Sequence, residues 1–332
     1  MKSLILLIYF ILQIYNISAK DNLIKIEENY LKETDYSSLV EYIKNYTDQI
    51  AVSVVPLENK HTSFYLNKSE VFVSASMIKL LILCEFIDQI DKKNISLDSN
   101  YTYKEEDKVG GAGVIQTMDF GTNFTYNTLA FYMIKYSDNI ATNALIDILG
   151  MDNINNRSQI LGLKATKLNR KMMKEGEQNY MSAEDIEIIL KGILYKTIGS
   201  EDMCERGMNY LLENDDTDAI VRGLPNGTVF AHKTGSLERI RHDGGIVFIE
   251  NKYIIIILTK DFQLEDDANY LMGNISSIVY KIMNETSPQP GPESDTTDPT
   301  QSNDYIKNSL IALILCFVEI CKSLICKYFF NR

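Results

Sequence analysis

The sequence has few of the residues that build metal sites and disulfide frameworks. Its 332 residues include three histidines and five cysteines, of which only Cys84 and Cys204 precede the C-terminal segment. None of these residues has the spacing of a zinc site, so we expect no metal and no other cofactor. One disulfide bond between the two cysteines is conceivable. Because Cys84 lies in an apolar helical run, a buried thiol is the favoured alternative.

Basic residues are also scarce relative to acidic ones. The formal net charge is −12, and no block of lysine and arginine occurs in the central part of the chain. A surface that binds nucleic acid needs such a surplus. The glycine-rich segment VGGAGV lacks the lysine and threonine of a phosphate-binding loop. We therefore exclude nucleic acid as a partner and expect a monomer that acts on a small molecule.

Both ends of the chain differ in composition from its middle. Residues 1–19 have the basic start, apolar run and small final residues of a signal peptide, with an uncleaved anchor as the alternative. Residues 285–304 are rich in proline, serine and threonine, which predicts a disordered stalk. Residues 305–332 are apolar but interrupted by charges, which predicts a marginal transmembrane anchor or an amphipathic membrane-surface helix. These segments predict an extracytoplasmic protein tethered to a membrane.

Nine N-glycosylation sequons follow the predicted signal peptide. Export would make them usable in a eukaryote, whereas a chain rich in asparagine also acquires sequons by chance. Glycosylation is therefore a hypothesis at Asn45, Asn67, Asn94, Asn100, Asn123, Asn156, Asn226, Asn274 and Asn284.

Residues 20–284 predict one α+β domain. Apolar residues make up 45% of the chain, enough for a large core. Runs with strand character occur near both ends of this segment, and the region from Met77 to about Asn214 is almost all helical in period. A sheet assembled from remote segments is therefore expected.

A serine and a lysine mark the start of the first long apolar helix. Ser76 and Lys79 are three residues apart, so they lie on the same side of a helix and the amine can approach the hydroxyl. A serine hydroxyl becomes a strong nucleophile when a neighbouring group takes its proton. The pair predicts a nucleophilic serine, although a helix cap followed by a surface lysine would give the same pattern.

Two more motifs carry polar groups in places where a cleft could form. Ser137-Asp138-Asn139 lies at a break between two helical runs, and Lys233-Thr234-Gly235 lies in a predicted strand. A polar break can place a hydroxyl and a carboxamide in a cleft, and a strand glycine lets a substrate approach the backbone. Each motif alone also fits a capping turn, with Ser137 or Asp138 as the cap, or a solvated strand.

The three motifs in this order resemble the signature set of class A β-lactamases and penicillin-binding serine hydrolases. The stretches VGGAGVIQ, LAFYMIKYSDNIATNALIDILG and HKTGSLERIRHDGGIVFI extend this resemblance over about residues 34–283. The resemblance implies a five-stranded antiparallel sheet with helices on one side, an all-helical lobe, and an active-site cleft between them. It also implies an acyl-enzyme mechanism that opens a β-lactam amide.

The resemblance assigns four residues to catalysis. Ser76 would attack the substrate carbonyl, and Lys79 would help to remove its proton. Ser137 would relay a proton to the leaving nitrogen. The backbone N–H groups of Ser76 and Ser236 would form the oxyanion hole.

The resemblance assigns four further residues to substrate binding. Asn139 would orient the substrate amide, and Lys233 and Thr234 would hold a substrate carboxylate. Gly235 would let the substrate approach the strand.

One departure from the family limits what the resemblance implies. Class A enzymes carry a glutamate two residues beyond an arginine after an L-x-R stretch, and it activates the deacylating water. Here Arg170 is followed by Lys171 and Met172, while Glu175 and Glu177 fit solvated loop charges better. A general base is worth typically 10²–10⁴-fold, so we expect slow deacylation.

Two other functions remain open from the sequence. The same fold could act as a D-alanyl-D-alanine carboxypeptidase, amidase or esterase, or as a stalked surface protein that binds without catalysis. His242 beside Asp243 could suggest a serine–histidine–aspartate site, but the Ser76–Lys79 pair already supplies a base. We therefore predict that His242 is a turn or substrate-edge residue.

Overall fold

The computed structural model describes residues 34–58 and 61–284. The helices of this described part are α1 (Ser37–Ile43), α2 (Lys79–Asp91), α3 (Tyr126–Lys135), α4 (Asn139–Leu149), α5 (Met151–Ile160), α6 (Ala183–Leu194), α7 (Glu201–Leu212) and α8 (Glu265–Asn284). Its strands are β1 (Ile50–Pro56), β2 (Phe64–Leu66), β3 (Phe72–Val73), β4 (Asn100–Thr102), β5 (Asn123–Thr125), β6 (Tyr180–Met181), β7 (Val229–Leu237), β8 (Ile240–Phe248) and β9 (Tyr253–Thr259).

The predicted five-stranded antiparallel sheet is confirmed. Its strand order is β2-β1-β9-β8-β7, so the strands from the start of the domain pair with those from its end. The outer strand β7 pairs with β8, with Gly235 opposite His242. This pairing leaves the other edge of β7 open toward the turn at Ser76.

Strand β9 separates two apolar cores. Ile254, Ile256 and Leu258 belong to the core shared with the helical lobe, whereas Ile255 and Ile257 belong to the core shared with α1 and α8. Side chains of a strand alternate between faces, so a strand buried on both faces is apolar throughout. The run YIIIILT therefore places β9 in the centre of the sheet. Helices α1 and α8 cover one face, and the lobe built around α2 covers the other.

The middle of the chain is less helical than its periodicity predicts. Strands β4 and β5 form an antiparallel pair, β3 pairs with β6, and residues 161–179 include a long irregular loop. Side chains, rather than the carbonyl groups of a helix, accept hydrogen bonds from the backbone N–H groups of this loop. The Asp185 carboxylate, for example, accepts hydrogen bonds from the N–H groups of Lys164 and Ala165. The prediction of an almost all-helical middle region is wrong here, because side-chain hydrogen bonds compete with helix formation.

Cys84 on α2 and Cys204 on α7 are buried free thiols. Burial raises the pKa of Cys84 to about 12, so its thiol stays protonated. The buried-thiol alternative is therefore confirmed for this pair.

Three predicted segments, 1–19, 285–304 and 305–332, lie outside the described residues. Among the described residues, no helix combines the length and apolar character needed to cross a membrane.

Candidate active site

A short 3₁₀ turn over Ala75–Ile78 carries the predicted nucleophile. Ala75 has φ of 45°, in the left-handed region that is unfavourable for residues with a side chain. Strained backbone of this kind persists where surrounding structure holds it, and functional sites are common places for it. The Lys79 Nζ atom lies 2.9 Å from Ser76 Oγ.

The Lys79 amine is fully buried and surrounded by neutral acceptors. Besides Ser76, it donates to Ser137 O at 2.7 Å, Ser137 Oγ at 2.9 Å and Asn139 Oδ1 at 3.0 Å. No carboxylate forms an ion pair with it within the part of the chain that is described. Burial, and then repulsion from Lys233, holds the pKa of Lys79 well below its usual value, although Asp138 opposes the shift. A neutral amine at this position can accept the Ser76 proton.

The loop that presents Ser137 is held in place by Asp138. Ser137 has φ of 51°. One Asp138 oxygen accepts the N–H groups of Ile140 and Ala141, and the other accepts those of Val114 and Ile115, all within 2.9 Å. The capping prediction for Asp138 is confirmed, since it caps α4. Its second pair of bonds ties this cap to the backbone of residues 114 and 115.

Strand β7 brings the third motif against the Ser76 turn. The fully buried Lys233 amine donates to Ser137 Oγ at 3.2 Å and to Thr234 O at 2.7 Å. A Cβ atom on Gly235 would lie 3.0 Å from Ser76 N, so glycine permits the close approach of strand and turn. Burial lowers the pKa of Lys233 to about 8. The polar groups of Ser76, Lys79, Ser137 and Lys233 therefore form one connected cluster.

An arginine that the motifs did not indicate lies opposite Ser236. The buried Arg241 on β8 places Nη2 2.7 Å from each carboxylate oxygen of Asp216. The Ser236 hydroxyl donates to Glu265 Oε1 at 2.8 Å. The signal in the sequence was an arginine inside an apolar strand, since arginine is rarely fully buried unless paired.

A cavity of about 260 Å³ opens beside Ser76 and is bounded on one side by the loop 169–179. Asn143 ties Met172 to α4, accepting from Met172 N at 2.7 Å and donating to Met172 O at 3.1 Å. Asn179 closes the loop by accepting the N–H groups of Asn169 and Arg170. The cavity is therefore lined by apolar and polar groups together: Ser76, Asn139, Met172, Met173, Ser236 and Leu237.

The model of the β-lactamase enzyme family matches residues 36–283, about three quarters of the chain. The chain belongs to the β-lactamase enzyme family. It is similar to a β-lactamase from Proteus vulgaris, with 23% identity over 268 residues that cover 78% of this chain and 87% of that protein. It is 25% identical to a β-lactamase from Bacillus licheniformis over 227 residues, covering 65% and 73% of the two chains.

Solved structures of β-lactamase-fold proteins superpose on this chain. A β-lactamase from Sphaerobacter thermophilus gives a TM-score of 0.72 at 22% identity, covering 76% of this chain and all of that one. PBP-A gives a TM-score of 0.67 at 24% identity, covering 73% and 96% of the two chains. The fold predicted from the resemblance is confirmed, and the chain is a serine hydrolase of the β-lactamase type.

In this member of the β-lactamase family, Glu175 and Glu177 are exposed and do not line the cavity. Met172 does line it, and its side chain cannot serve as a base. The structure therefore agrees with the sequence interpretation that the position of the deacylating glutamate holds no carboxylate.

The prediction for His242 is wrong. His242 lies inside β8, and its buried ring connects three segments of the chain. Its Nδ1 accepts the Thr259 N–H at 3.1 Å, so its Nε2–H donates to Val73 O at 2.8 Å. Burial lowers the pKa of His242 to about 4, which keeps the ring neutral at physiological pH. His242 therefore fastens the sheet to the strand before Ser76.

Proposed function

We propose that this chain opens β-lactam amides by forming an acyl-enzyme on Ser76 and releases the acyl group slowly. The observation that carries the proposal is the contact between Ser76 and a buried lysine whose other partners are all neutral. Burial lowers the pKa of Lys79, and a lysine with a lowered pKa is suited to act as a general base.

Acylation uses the connected cluster as a proton relay. Lys79 accepts the Ser76 proton while Oγ attacks the carbonyl carbon, and the N–H groups of Ser76 and Ser236 stabilise the oxyanion. The protonated Lys79 lies 2.9 Å from Ser137 Oγ. Ser137 receives this proton and gives its own to the leaving nitrogen as the C–N bond breaks. Asn139 orients the substrate amide, Lys233 and Thr234 hold the substrate carboxylate, and Gly235 lets the substrate approach the strand.

Deacylation has no equivalent group. The residue at the place of the family's deacylating glutamate is Met172, which lines the cavity and can neither accept a proton nor hold a water by strong hydrogen bonds. A missing general base costs typically 10²–10⁴-fold. A point variant of PBP-A, similar in fold, was solved as an acyl-enzyme complex with penicillin G. The same type of intermediate is proposed here.

The test is the mass of the intact protein after mixing with benzylpenicillin. We expect an adduct of one penicillin per chain, located on Ser76 by peptide mapping, and no adduct on the Ser76→Ala variant. A wild-type protein that gains no mass at any time would reject the proposal. Release of D-alanine from a peptide ending in D-alanyl-D-alanine would instead identify the carboxypeptidase alternative.

The alternative of a binding protein without catalysis gives no reason for two buried lysines. Lys79 and Lys233 are both fully buried, and an ammonium group is expensive to bury without a carboxylate partner. Groups with strongly shifted pKa values in a cleft are typical of active sites. These two lysines therefore favour the enzymatic proposal.

We further propose that the chain is exported and N-glycosylated, and that residues 305–332 tether it to a membrane. All nine sequon asparagines in the described part are exposed, whereas only Asn153 and Asn209 are exposed among the eleven other asparagines described there. The sequon asparagines are also absent from the lining of the active-site cavity. This contrast supports use of the sequons, since chance sequons would share the burial of other asparagines.

Enzymatic removal of N-glycans from the native protein tests this part. The glycan-cleaving amidase converts a glycosylated asparagine to aspartate, which peptide mass spectrometry detects. We expect conversion at exposed sequons and none at Asn153 or Asn209. Asn67 is the expected exception, because its Nδ2 already donates to Thr47 O and Ile50 O. Native protein without conversion at any sequon would remove the glycosylation proposal.

A further inference from the structure

The cavity beside Ser76 has an excess of positive charge in its lining. Among the described residues that line it, Arg170 and Lys171 are cationic, and none is an aspartate or a glutamate. Lys171 Nζ forms an ion pair with Asp147 on α4, so its charge is matched. The charge that remains unmatched is that of Arg170.

The Arg170 guanidinium has only neutral partners in the part of the chain that the structure describes. Its Nη1 donates to the carbonyl oxygen of Lys174, and its Nη2 donates to Gln178 Oε1 at 2.6 Å. The Nε–H is buried and has no acceptor among the described residues. A guanidinium has five N–H donors in a fork that matches a carboxylate. Arg170 therefore keeps its charge and part of its capacity to donate.

The two glutamates of the same loop do not neutralise Arg170. Glu175 and Glu177 are exposed, they do not line the cavity, and neither forms an ion pair with the guanidinium. Solvent screens exposed charges strongly and partly buried ones much less. An anion inside the cavity would therefore interact with Arg170 more strongly than these two glutamates do.

The loop holds the Arg170 side chain in position. Gly176 packs closely against it, since a Cβ atom on Gly176 would lie 3.3 Å from Arg170 Cβ. The hydrogen bonds to Lys174 and Gln178 fix the guanidinium on both sides of Gly176 in sequence. A donor that is already ordered binds a ligand at a lower entropic cost than a flexible side chain.

The acyl side chain of a bound donor would extend toward this loop. In the proposed mechanism the leaving group lies on the side of Ser137 and Lys233, whereas the loop 169–179 bounds the other side of Ser76. Asn139, which is proposed to orient the substrate amide, lines the same cavity as Arg170 and Gln178. A substituent on the acyl side chain would therefore enter the part of the cavity that Arg170 lines.

We propose that Arg170 forms an anion subsite for the acyl side chain, so that the protein prefers acyl donors with a carboxylate there. This inference rests on the proposed acylation of Ser76. Opposite charges about 4 Å apart attract appreciably even near a protein surface, and an arginine adds charge-assisted hydrogen bonds to a carboxylate. Loss of the Arg170 charge should therefore slow acylation by an anionic donor on the order of tenfold relative to a donor without that carboxylate.

The test compares carbenicillin with benzylpenicillin, which differ by one carboxylate on the acyl side chain. The rates of adduct formation in intact-protein mass spectra give a carbenicillin-to-benzylpenicillin ratio for wild type, Arg170→Gln and Arg170→Lys. Both substitutions remove the fork that bonds to Lys174 and Gln178, but only Arg170→Gln removes the charge. We expect the ratio to fall about tenfold in Arg170→Gln and to stay within about threefold of wild type in Arg170→Lys.

Two more variants separate the Arg170 charge from other effects. Gln178→Glu places a carboxylate at the acceptor of Arg170 Nη2, so it neutralises the guanidinium and can keep that hydrogen bond. The same fall is expected, and this variant keeps the test usable if Arg170→Gln does not fold. Lys174→Gln removes a positive charge from the same loop outside the cavity, and it should leave the ratio unchanged.

Three results would count against different claims. If both donors acylate Ser76 and the ratio is the same in wild type, Arg170→Gln and Gln178→Glu, the anion subsite is overturned while the proposed acylation stands. An equal fall in Arg170→Gln and Arg170→Lys would also overturn the subsite, because loop geometry rather than charge would then set the ratio. If neither donor acylates the wild-type protein, the proposed function fails and this inference fails with it.

Discussion

The two sides of Ser76 differ in chemistry. On one side, Lys79, Ser137 and Lys233 form a chain of hydrogen bonds no longer than 3.2 Å. On the other side, the loop 169–179 presents Met172 to the cavity. In the proposed mechanism, the first side supplies the groups that form the acyl-enzyme, and the second lacks the group that would break it down.

In the proposed mechanism, acylation and deacylation therefore depend on separate elements of the fold. The acylating cluster of Ser76, Lys79, Ser137 and Lys233 comes from the 3₁₀ turn and start of α2, the loop that caps α4, and strand β7. These elements meet at the core shared with the helical lobe. The side of Ser76 on which a deacylating water would act is called here the water side. It is bounded by the loop 169–179, which is held by side-chain hydrogen bonds from Asn143 and Asn179. A change in one side can therefore alter one step and leave the other intact.

The largest expected effect is on the side of Ser76 that contains Lys79. Lys79→Ala should lower the rate of acylation by benzylpenicillin by roughly 10²–10⁴-fold, because the proton acceptor for Ser76 is lost. Stopped-time mass spectra measure this rate. Lys92→Ala, at the exposed end of the same helix, is the control and should acylate at the wild-type rate. A loss smaller than about tenfold would mean that another group takes the proton.

The second effect concerns the water side. Met172→Glu should shorten the lifetime of the acyl-enzyme by roughly 10²-fold, since a carboxylate in the cavity can activate a water. Decay of the adduct mass after removal of free penicillin measures the lifetime. Lys174→Glu is the control, because Lys174 is exposed in the same loop and does not line the cavity. Equal lifetimes for wild type and Met172→Glu would show that the loop does not limit deacylation.

The third effect is on stability and compares the residues that hold each side. Asp138→Ala leaves four backbone donors without their acceptor, and should reduce the free energy of unfolding by about 3 kcal/mol. Asn179→Ala should cost about half of that, because its oxygen accepts two donors. Urea unfolding followed by circular dichroism gives both values. A larger loss of stability for Asn179→Ala than for Asp138→Ala would contradict this expected order.

The contacts of the site differ in how far they could be predicted from the sequence. The Ser76, Ser137 and Lys233 motifs identified the cluster because each lies at a start, break or strand that local pattern reveals. Asp216, Arg241 and Glu265 were missed, because their contacts join residues 216, 241 and 265 across the sheet and α8. His242 was misassigned for the same reason: its partners Val73 and Thr259 are remote in sequence.

The smallest expected effect is on pH dependence. Acylation should increase as pH rises through the lowered pKa of Lys79, because the neutral amine is the base. It should decrease above about pH 8, where Lys233 loses its charge. The decrease should be several-fold in wild type and absent in Lys233→Arg, whose guanidinium stays protonated. Acylation rates between pH 5 and pH 10 measure this, and an equal decrease in both proteins would assign it to another group.

The most direct test of the account is a time course of intact mass with one equivalent of benzylpenicillin. The account predicts that the Ser76 adduct forms and then persists, with a decay at least roughly 10²-fold slower than its formation. An adduct that decays as fast as it forms would contradict the claim that the two sides of Ser76 are unequal.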